Sequence, residues 1–127
     1  MKAKPRIIRS PIADTPERVH ARGKRLAYAA LDRIEANLAE WQQDRWRCGT
    51  ACCFAGHVDL AAGWAWADTW STFMCSPSGN DVQRVQNVAW ALLYGKPYES
   101  GISGTIFDEH NTLDDLKRIV RETWGPR

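Results

Sequence analysis

Four regions of the chain place apolar residues at the spacing of a helix. The first begins at Thr15, Pro16 and Glu17, which are a capping residue, a proline suited to the first turn and an acid that favours the positive helix end. Its apolar stripe consists of Val19, Leu26, Ala30, Leu31, Ile34, Leu38 and Trp41. The pattern predicts one long helix, or two helices joined near Gly23, because an internal glycine costs about 1 kcal/mol relative to alanine.

The second region is apolar on nearly every side. Cys48, Gly49 and Thr50 have the pattern of a turn followed by a helix cap, which predicts a helix over residues 51–62. His57 and Asp59 are its ionisable residues. A helix without a polar face is normally surrounded by other elements. We therefore expect it at the centre of the domain.

Residues 64–79 have no regular period, which predicts a long irregular loop, and long loops often carry function. Asn80 is the predicted cap of the third helix, and Asn111-Thr112 are the predicted cap of the fourth. Their apolar stripes are Val82, Val85, Val88, Ala89, Leu92 and Leu93, and then Leu113, Leu116, Ile119, Val120 and Trp124. The sequence thus predicts an all-α fold, a compact bundle of about four helices around a buried central helix.

The first 13 residues contain two prolines and no helical period, so we expect an extended, flexible basic arm over 1–13 and a single helical domain over 14–127. The longest apolar region contains His57 and Asp59, which excludes a bilayer span. The apolar stretch of a secretion signal is also missing after the basic start. We therefore expect a cytoplasmic protein whose four cysteines are reduced thiols.

Charge is distributed unevenly along the 127 residues. Residues 1–27 hold eight of the 17 Lys and Arg and two acids, a net charge of +6, whereas the rest of the chain carries −4. The arm side chains of Lys2, Lys4, Arg6 and Arg9 could neutralise phosphates while exposed tryptophans stack on bases. Nucleic-acid binding is therefore one alternative function, although a charged segment is more often a solvated surface.

The seven tryptophans are the unusual feature of the composition. Four aromatic residues, Trp64, Trp66, Trp70 and Phe73, cluster in the predicted loop, where no helix needs them for its apolar stripe. Aromatic anchors of this kind dominate many protein–protein interfaces. We predict that they bind a protein partner; the structural alternative is that their rings close over the small residues of the central helix.

Cysteine and histidine side chains suggest two further kinds of site. The spacing of Cys48, Cys52, Cys53 and His57 resembles half of a zinc site, but a second half does not follow. A metal-binding module could still assemble from Cys53, His57, Cys75 and His110. A thiol nucleophile at Cys52 or Cys53 lacks a group that would orient its base. We therefore predict packed cysteines, with no metal, no cofactor and no enzymatic activity.

Two motifs connect the chain with a family. The first is Trp46-Arg-Cys48-Gly-Thr50-Ala-Cys52-Cys-Phe-Ala-Gly56-His57, and the second is Ile106-Phe107-Asp108-Glu-His-Asn111-Thr112-Leu113-Asp-Asp-Leu116. Together they resemble the pattern of small proteins carried by actinobacteria and especially by their bacteriophages. The likeness extends from about residue 26 to 124, and the basic arm and the Trp-rich loop lie outside the recurring pattern. The resemblance implies a host cytoplasm as the setting and brings no activity with it. Our own prediction is a small, phage-encoded, non-enzymatic accessory protein that binds a host or viral macromolecule, with a protein partner favoured.

Overall fold

Helices and short strands alternate along the chain, in a computed structural model that describes residues 15–99 and 105–127. The helices are α1 (Pro16–Ala36), α2 (Phe54–Ala61), α3 (Val85–Tyr94) and α4 (Leu113–Trp124), with a 3-10 turn at Leu38–Glu40. The strands are β1 (Arg47–Cys48), β2 (Ala51–Cys52), β3 (Ala65–Trp66), β4 (Phe73–Cys75) and β5 (Val82–Arg84). They form two antiparallel sheets, β1–β2 and β3–β4–β5. The all-α, helical-bundle prediction is therefore wrong, and the fold is mixed.

The buried position predicted for the central helix is confirmed. All six residues from Phe54 to Asp59 are buried, and α2 packs against both α1 and α3. The core combines Phe54 and Val58 with apolar side chains of the other helices, among them Leu26, Ile34, Val85, Leu93, Leu116 and Val120. No helix in the described part of the chain has the length and apolar content needed to cross a bilayer.

The segment before α2 is a β-hairpin instead of a helix cap. Gly49, with a φ of 64°, makes the turn between β1 and β2, so Thr50 lies within this turn and the helix starts only at Phe54. The buried side chain of Gln43 caps α2, because its Oε1 accepts from the Phe54 amide at 3.1 Å. Its Nε2 donates to the carbonyl oxygens of Ile106 and Asp108 at 3.1 and 3.0 Å, which ties the start of α2 to the segment before α4.

The segment predicted as an irregular loop is mostly sheet. Cross-strand pairing joins Trp66 to Met74, and β5 follows where Asn80 was expected to cap a helix. The amide of Val85 donates to the Thr72 carbonyl at 3.0 Å, which extends the β4–β5 ladder to the first residue of α3. Pairing with β4 therefore delays the start of the third helix by several residues.

Helix α1 runs through Gly23 without a break and ends at Ala36, short of Trp41. A Cβ atom at Gly23 would lie 2.4 Å from the Leu93 carbonyl oxygen and 2.7 Å from Nε1 of Trp124. Glycine thus permits close contact with α3 and α4 at this position. The sequence left open one helix or two joined near Gly23, and the structure has one helix, which ends earlier than the apolar stripe predicted.

Of the predicted pair Asn111-Thr112, Thr112 is the residue that caps the last helix. The Thr112 hydroxyl accepts from the Asp115 amide at 3.1 Å, and the Asp115 carboxylate accepts from the Thr112 amide at 2.9 Å. This reciprocal capping box satisfies two amides that the helix itself leaves unpaired.

Substitution Thr112→Ala is expected to lower the free energy of unfolding by about 1 kcal/mol, because the Asp115 amide loses its acceptor. Chemical denaturation of the two proteins measures the loss. Thr123→Ala, at an exposed position inside α4, is the matched control and should change stability little. Equal effects of the two substitutions would contradict a capping role for Thr112.

Candidate functional site

The β3–β4 hairpin carries the aromatic residues that the sequence nominates for partner binding. Its strands pair Ala65 with Cys75 and Trp66 with Met74, and the amide of Ala67 donates to the Phe73 carbonyl at 2.9 Å. Side chains that are directly opposite in a ladder share a face of the sheet. Met74 is fully buried and Trp66 packs against the core, so that this face of the hairpin is the one turned towards the helices.

Residues 68–71 form the hairpin tip, and Asp68 fixes its shape. Oδ1 of Asp68 accepts from the Trp70 amide at 2.8 Å and from the Ser71 amide at 2.6 Å. These two hydrogen bonds hold the pKa of the Asp68 carboxyl below its ordinary value, and the one from the Ser71 amide has the larger effect. The tip is therefore an ordered turn in which the carboxylate replaces backbone partners.

Arg47 attaches the tip to the β1–β2 hairpin. Its Nη1 donates to the carbonyl oxygens of Asp68 and Ser71, each at 2.8 Å, and its Nε donates to the Gly49 carbonyl at 2.9 Å. The guanidinium also lies 4.4 Å from the ring centroid of Trp66. One cation thus joins two hairpins that are separate in sequence.

Trp70 is the candidate that remains open to solvent, with 89% of its surface exposed. Trp64, Trp66 and Phe73 are half-buried, and both tryptophans of this group pack against the core. A Cβ atom at Gly56 of α2 would lie 3.4 Å from the Trp66 ring, so this ring covers the small residue of the central helix. The structural alternative, in which a ring closes over the small residues of the central helix, therefore describes Trp66, whereas Trp70 has the exposure of an interface residue.

Two of the other three aromatic rings, those of Trp66 and Phe73, each have a cation over one face. Arg47 lies over Trp66, and the guanidinium of Arg84 lies 5.0 Å from the ring centroid of Phe73. These rings are therefore not open platforms on which bases could stack. The arm residues of the nucleic-acid alternative, Lys2, Lys4, Arg6 and Arg9, lie outside the described residues, as does the predicted arm 1–13, so this part of the alternative stays a prediction.

The central helix buries two polar side chains, those of His57 and Asp59. His57 Nε2 donates to the Glu40 carbonyl at 2.9 Å, and its Nδ1 is buried without a partner among the described residues. Burial lowers the pKa of His57 and raises that of Asp59 well above the ordinary value. Burial thus favours the uncharged form of both side chains.

The neighbouring thiols are protonated for the same reason. Burial raises the pKa of Cys52 and of Cys53 to about 12. A thiolate is the nucleophilic and metal-binding form of cysteine, and a pKa this high leaves almost none at neutral pH. Their environment suits packing rather than reaction.

The four side chains considered for a metal site lie in different surroundings. Cys53 is buried at the start of α2, Cys75 is half-buried on β4, and His110 is 84% exposed with its Nδ1 3.0 Å from Oδ1 of Asp108. His57 directs Nε2 at a carbonyl oxygen. Within residues 15–99 and 105–127 no group of three or more His, Cys, Asp or Glu side chains is placed to hold a metal ion.

Comparison with family models, with curated proteins and with solved structures gave no match. The resemblance to actinobacterial and phage proteins therefore stays a prediction, and the geometry of the site carries the functional argument. Sequence reasoning found Trp70 but missed Arg47, Asp68 and Arg84, which shape and flank the hairpin. Of these three residues Asp68 alone lies in the segment predicted as a loop, where an aspartate is a common turn residue, and the sequence gives no signal for the other two.

Proposed function

We propose that the protein is a small, non-enzymatic accessory protein that binds a protein partner through its β3–β4 hairpin. Trp70 is the anchor, Trp64 and Trp66 hold the hairpin against the core, and Phe73 lies on the opposite face of the sheet beside Arg84. The observation that carries the proposal is the 89% exposure of Trp70 on a turn that Asp68 and Arg47 hold in place.

An exposed tryptophan on an ordered turn is well suited to bind. Tryptophan is among the residues that contribute most to protein interfaces when a partner pocket encloses them. Binding is opposed by the entropy lost when loops become ordered. Because the tip already has fixed backbone hydrogen bonds, little of this entropy remains to be lost on binding.

A protein partner fits this surface better than a nucleic acid. Sequence-tolerant binding of single strands uses several open aromatic faces in succession. Here Arg47 and Arg84 each occupy one face of Trp66 and of Phe73. Trp64 packs against the core, which leaves Trp70 as the open ring of the hairpin. One anchor surrounded by half-buried support is the arrangement of a protein interface hot spot.

The biological setting belongs to the same proposal. The motif resemblance favours a phage-encoded protein that acts in the cytoplasm of an actinobacterial host. A host or phage protein is then the expected partner. The oligomeric state and the consequence of binding do not enter the proposal.

Substitution Trp70→Ala is expected to weaken partner binding by about thirtyfold, which corresponds to about 2 kcal/mol, because the partner pocket loses its anchor. Affinity capture from an actinobacterial lysate with both proteins identifies a partner retained by the native chain alone. Titration calorimetry with that partner, once purified, then measures the two dissociation constants. The thermal midpoint of the variant should match that of the native protein, since Trp70 makes little contact with the core.

The matched control is Leu38→Ala, which removes another exposed apolar side chain, 56% accessible, outside the hairpin. It should bind as the native chain does. Equal affinity of the Trp70→Ala variant and the native protein would refute the proposed anchor. A parallel loss in both variants would indicate a nonspecific apolar surface instead.

A further inference from the structure

Strand β5 forms one edge of the three-stranded sheet. It pairs with β4 through Phe73 and Arg84, Met74 and Gln83, and Cys75 and Val82. At the two ends of this ladder Ser76 donates to the Asp81 carbonyl at 2.8 Å, and Val85 donates to the Thr72 carbonyl at 3.0 Å.

The ladder determines which backbone groups of β5 are free. In an antiparallel pair, alternate residues direct their N–H and C=O groups towards the neighbouring strand. Asp81, Gln83 and Val85 face β4, so the amides of Val82 and Arg84 point away from it. Neither amide donates to another residue in the described ranges. The carbonyl of Val82 points outwards by the same alternation.

This edge is open to solvent. All three residues of β5 are exposed, including 54% of the Val82 side chain. Natural sheets protect an edge with a proline, a bulge, a covering segment, a very short strand or charged side chains. Strand β5 is short and carries the cation Arg84, which disfavours a strand with a cation opposite it and still permits an acidic one. The sequence Val82-Gln83-Arg84 has no proline, and its pairing with β4 is continuous. The edge is therefore available as a template for another strand.

Side-chain chemistry indicates what kind of strand would fit. Val82 and Arg84 are two residues apart and lie on the same face of the sheet. Arg84 contacts the Phe73 ring and forms no ion pair with the residues that the structure describes. The nearby carboxylate of Asp81 accepts from Gln83 Nε2 at 3.2 Å. An acidic side chain opposite Arg84 and an aliphatic one opposite Val82 would complement this edge.

We propose that the partner contributes an extended segment that adds to β5 as a fourth strand, with an acidic and an aliphatic residue two positions apart. The inference deepens the proposed function, since it rests on the partner being a protein. Backbone hydrogen bonds supply affinity in such strand addition, and alternate side chains supply specificity. A face-to-face dimer is less suited, because three strands of about three residues cover only about 150 Å², against about 800 Å² per partner in a stable interface.

The first test uses a display library of short random peptides selected on the whole native protein. We expect enriched sequences with an acid and an aliphatic residue two positions apart. Hydrogen exchange followed by NMR, with a synthetic peptide of the enriched sequence, should show new protection at the amides of Val82 and Arg84. The Gln83 amide, which faces β4, is the internal control and should change little. Failure to enrich this pattern, or protection confined to other amides, would overturn the inference.

The second test separates the Arg84 amide from its side chain. Arg84 has a φ of −65°, the value that proline requires, so Arg84→Pro removes the outward N–H without backbone strain at this angle. Arg84→Ala removes the guanidinium and keeps the N–H. We expect Arg84→Ala to weaken binding of the synthetic peptide by about tenfold, and Arg84→Pro to weaken it by about a further fivefold.

Equal affinities of the Arg84→Pro and Arg84→Ala proteins would exclude strand addition at this amide. If the proline variant does not fold, the exchange experiment on the native chain decides. Self-association that protects the same amides in the absence of peptide would point to a second copy and overturn the inference. Trp70→Ala tests the anchor separately: loss of binding there, with no effect at β5, would retain the proposed function and reject the fourth strand.

Discussion

The substitution Asp59→Asn is expected to make the protein more stable than the native chain, by an amount that grows as the pH rises above about 4. The difference in unfolding free energy between the two proteins should grow by about 1.4 kcal/mol for each pH unit. This increase continues up to the pKa that Asp59 has in the folded state.

Burial of an unpaired carboxyl is the physical cause. Asp59 is completely buried in α2, and neither of its oxygens has a hydrogen-bond partner among the described residues. Its pKa is therefore raised in the folded protein, so the unfolded chain loses this proton first as pH rises. The free energy of unfolding is therefore highest below the pKa that Asp59 has in the unfolded chain. It decreases as the pH rises from that value to the pKa that Asp59 has in the folded protein. The amide of asparagine has no such titration.

Urea denaturation of both proteins at several values between about pH 4 and pH 8 measures the difference. His57, whose pKa is lowered, makes the fold less stable in acid, but this contribution is common to both proteins and cancels. Burial of the asparagine amide changes the free energy of unfolding by the same amount at every pH, so it does not alter the slope of the difference against pH. Asp44→Asn, at an exposed site, is the control and should follow the native curve. A slope of zero for Asp59→Asn would show that the buried carboxyl is already ionised.

Substitution Gly23→Ala is expected to destabilise the protein by about 3 kcal/mol. A Cβ atom would lie 2.4 Å from the Leu93 carbonyl oxygen, a backbone atom that cannot rotate away. The second close atom, Nε1 of Trp124, belongs to a buried ring. Helix α1 must therefore move away from both α3 and α4, which separates packed surfaces in the core.

The sign of this effect is informative, because alanine normally stabilises a helix by about 1 kcal/mol relative to glycine. Thermal unfolding should show a midpoint lower by about 12 °C. Ala21→Gly, at an exposed position of the same helix, measures the helix-propensity contribution alone. A Gly23→Ala protein more stable than the native one would mean that α1 does not approach its neighbours this closely.

Helices were predictable where one face is apolar over several turns. The stripe from Leu26 to Ile34 and the Thr112 cap both lie where the sequence indicates. These patterns depend on the local sequence alone, so they can be interpreted without knowledge of the rest of the fold. The end of α1 was placed too late because Leu38 continues the period, although its side chain is 56% exposed.

The strands were not predictable from the same patterns. Each has two or three residues, which is too short for alternation to distinguish a strand from a turn or from part of a helix. Val82 and Val85 fit a helical step of three, and pairing with β4 decides in favour of a strand. Tertiary pairing of this kind overrides local spacing.

The candidate site was partly predictable for a related reason. Composition identified the aromatic cluster, and exposure then separated Trp70 from Trp66. Arg47 could not be assigned to the site from sequence, because it reaches the tip from a hairpin about twenty residues earlier in the chain. The free edge of β5 is a property of sheet order, which the sequence does not specify.

Asp68 and Arg47, and not the most exposed side chains, fix the backbone conformation of the hairpin tip, and this has an evolutionary consequence. The turn depends on the Asp68 carboxylate and on carbonyl groups held by Arg47, whereas the side chains of Thr69 and Trp70 make no hydrogen bond with the residues that the structure describes. Related chains could therefore diversify positions 69 and 70 while keeping the same backbone. Such a surface could follow a changing target without a compensating change in the core.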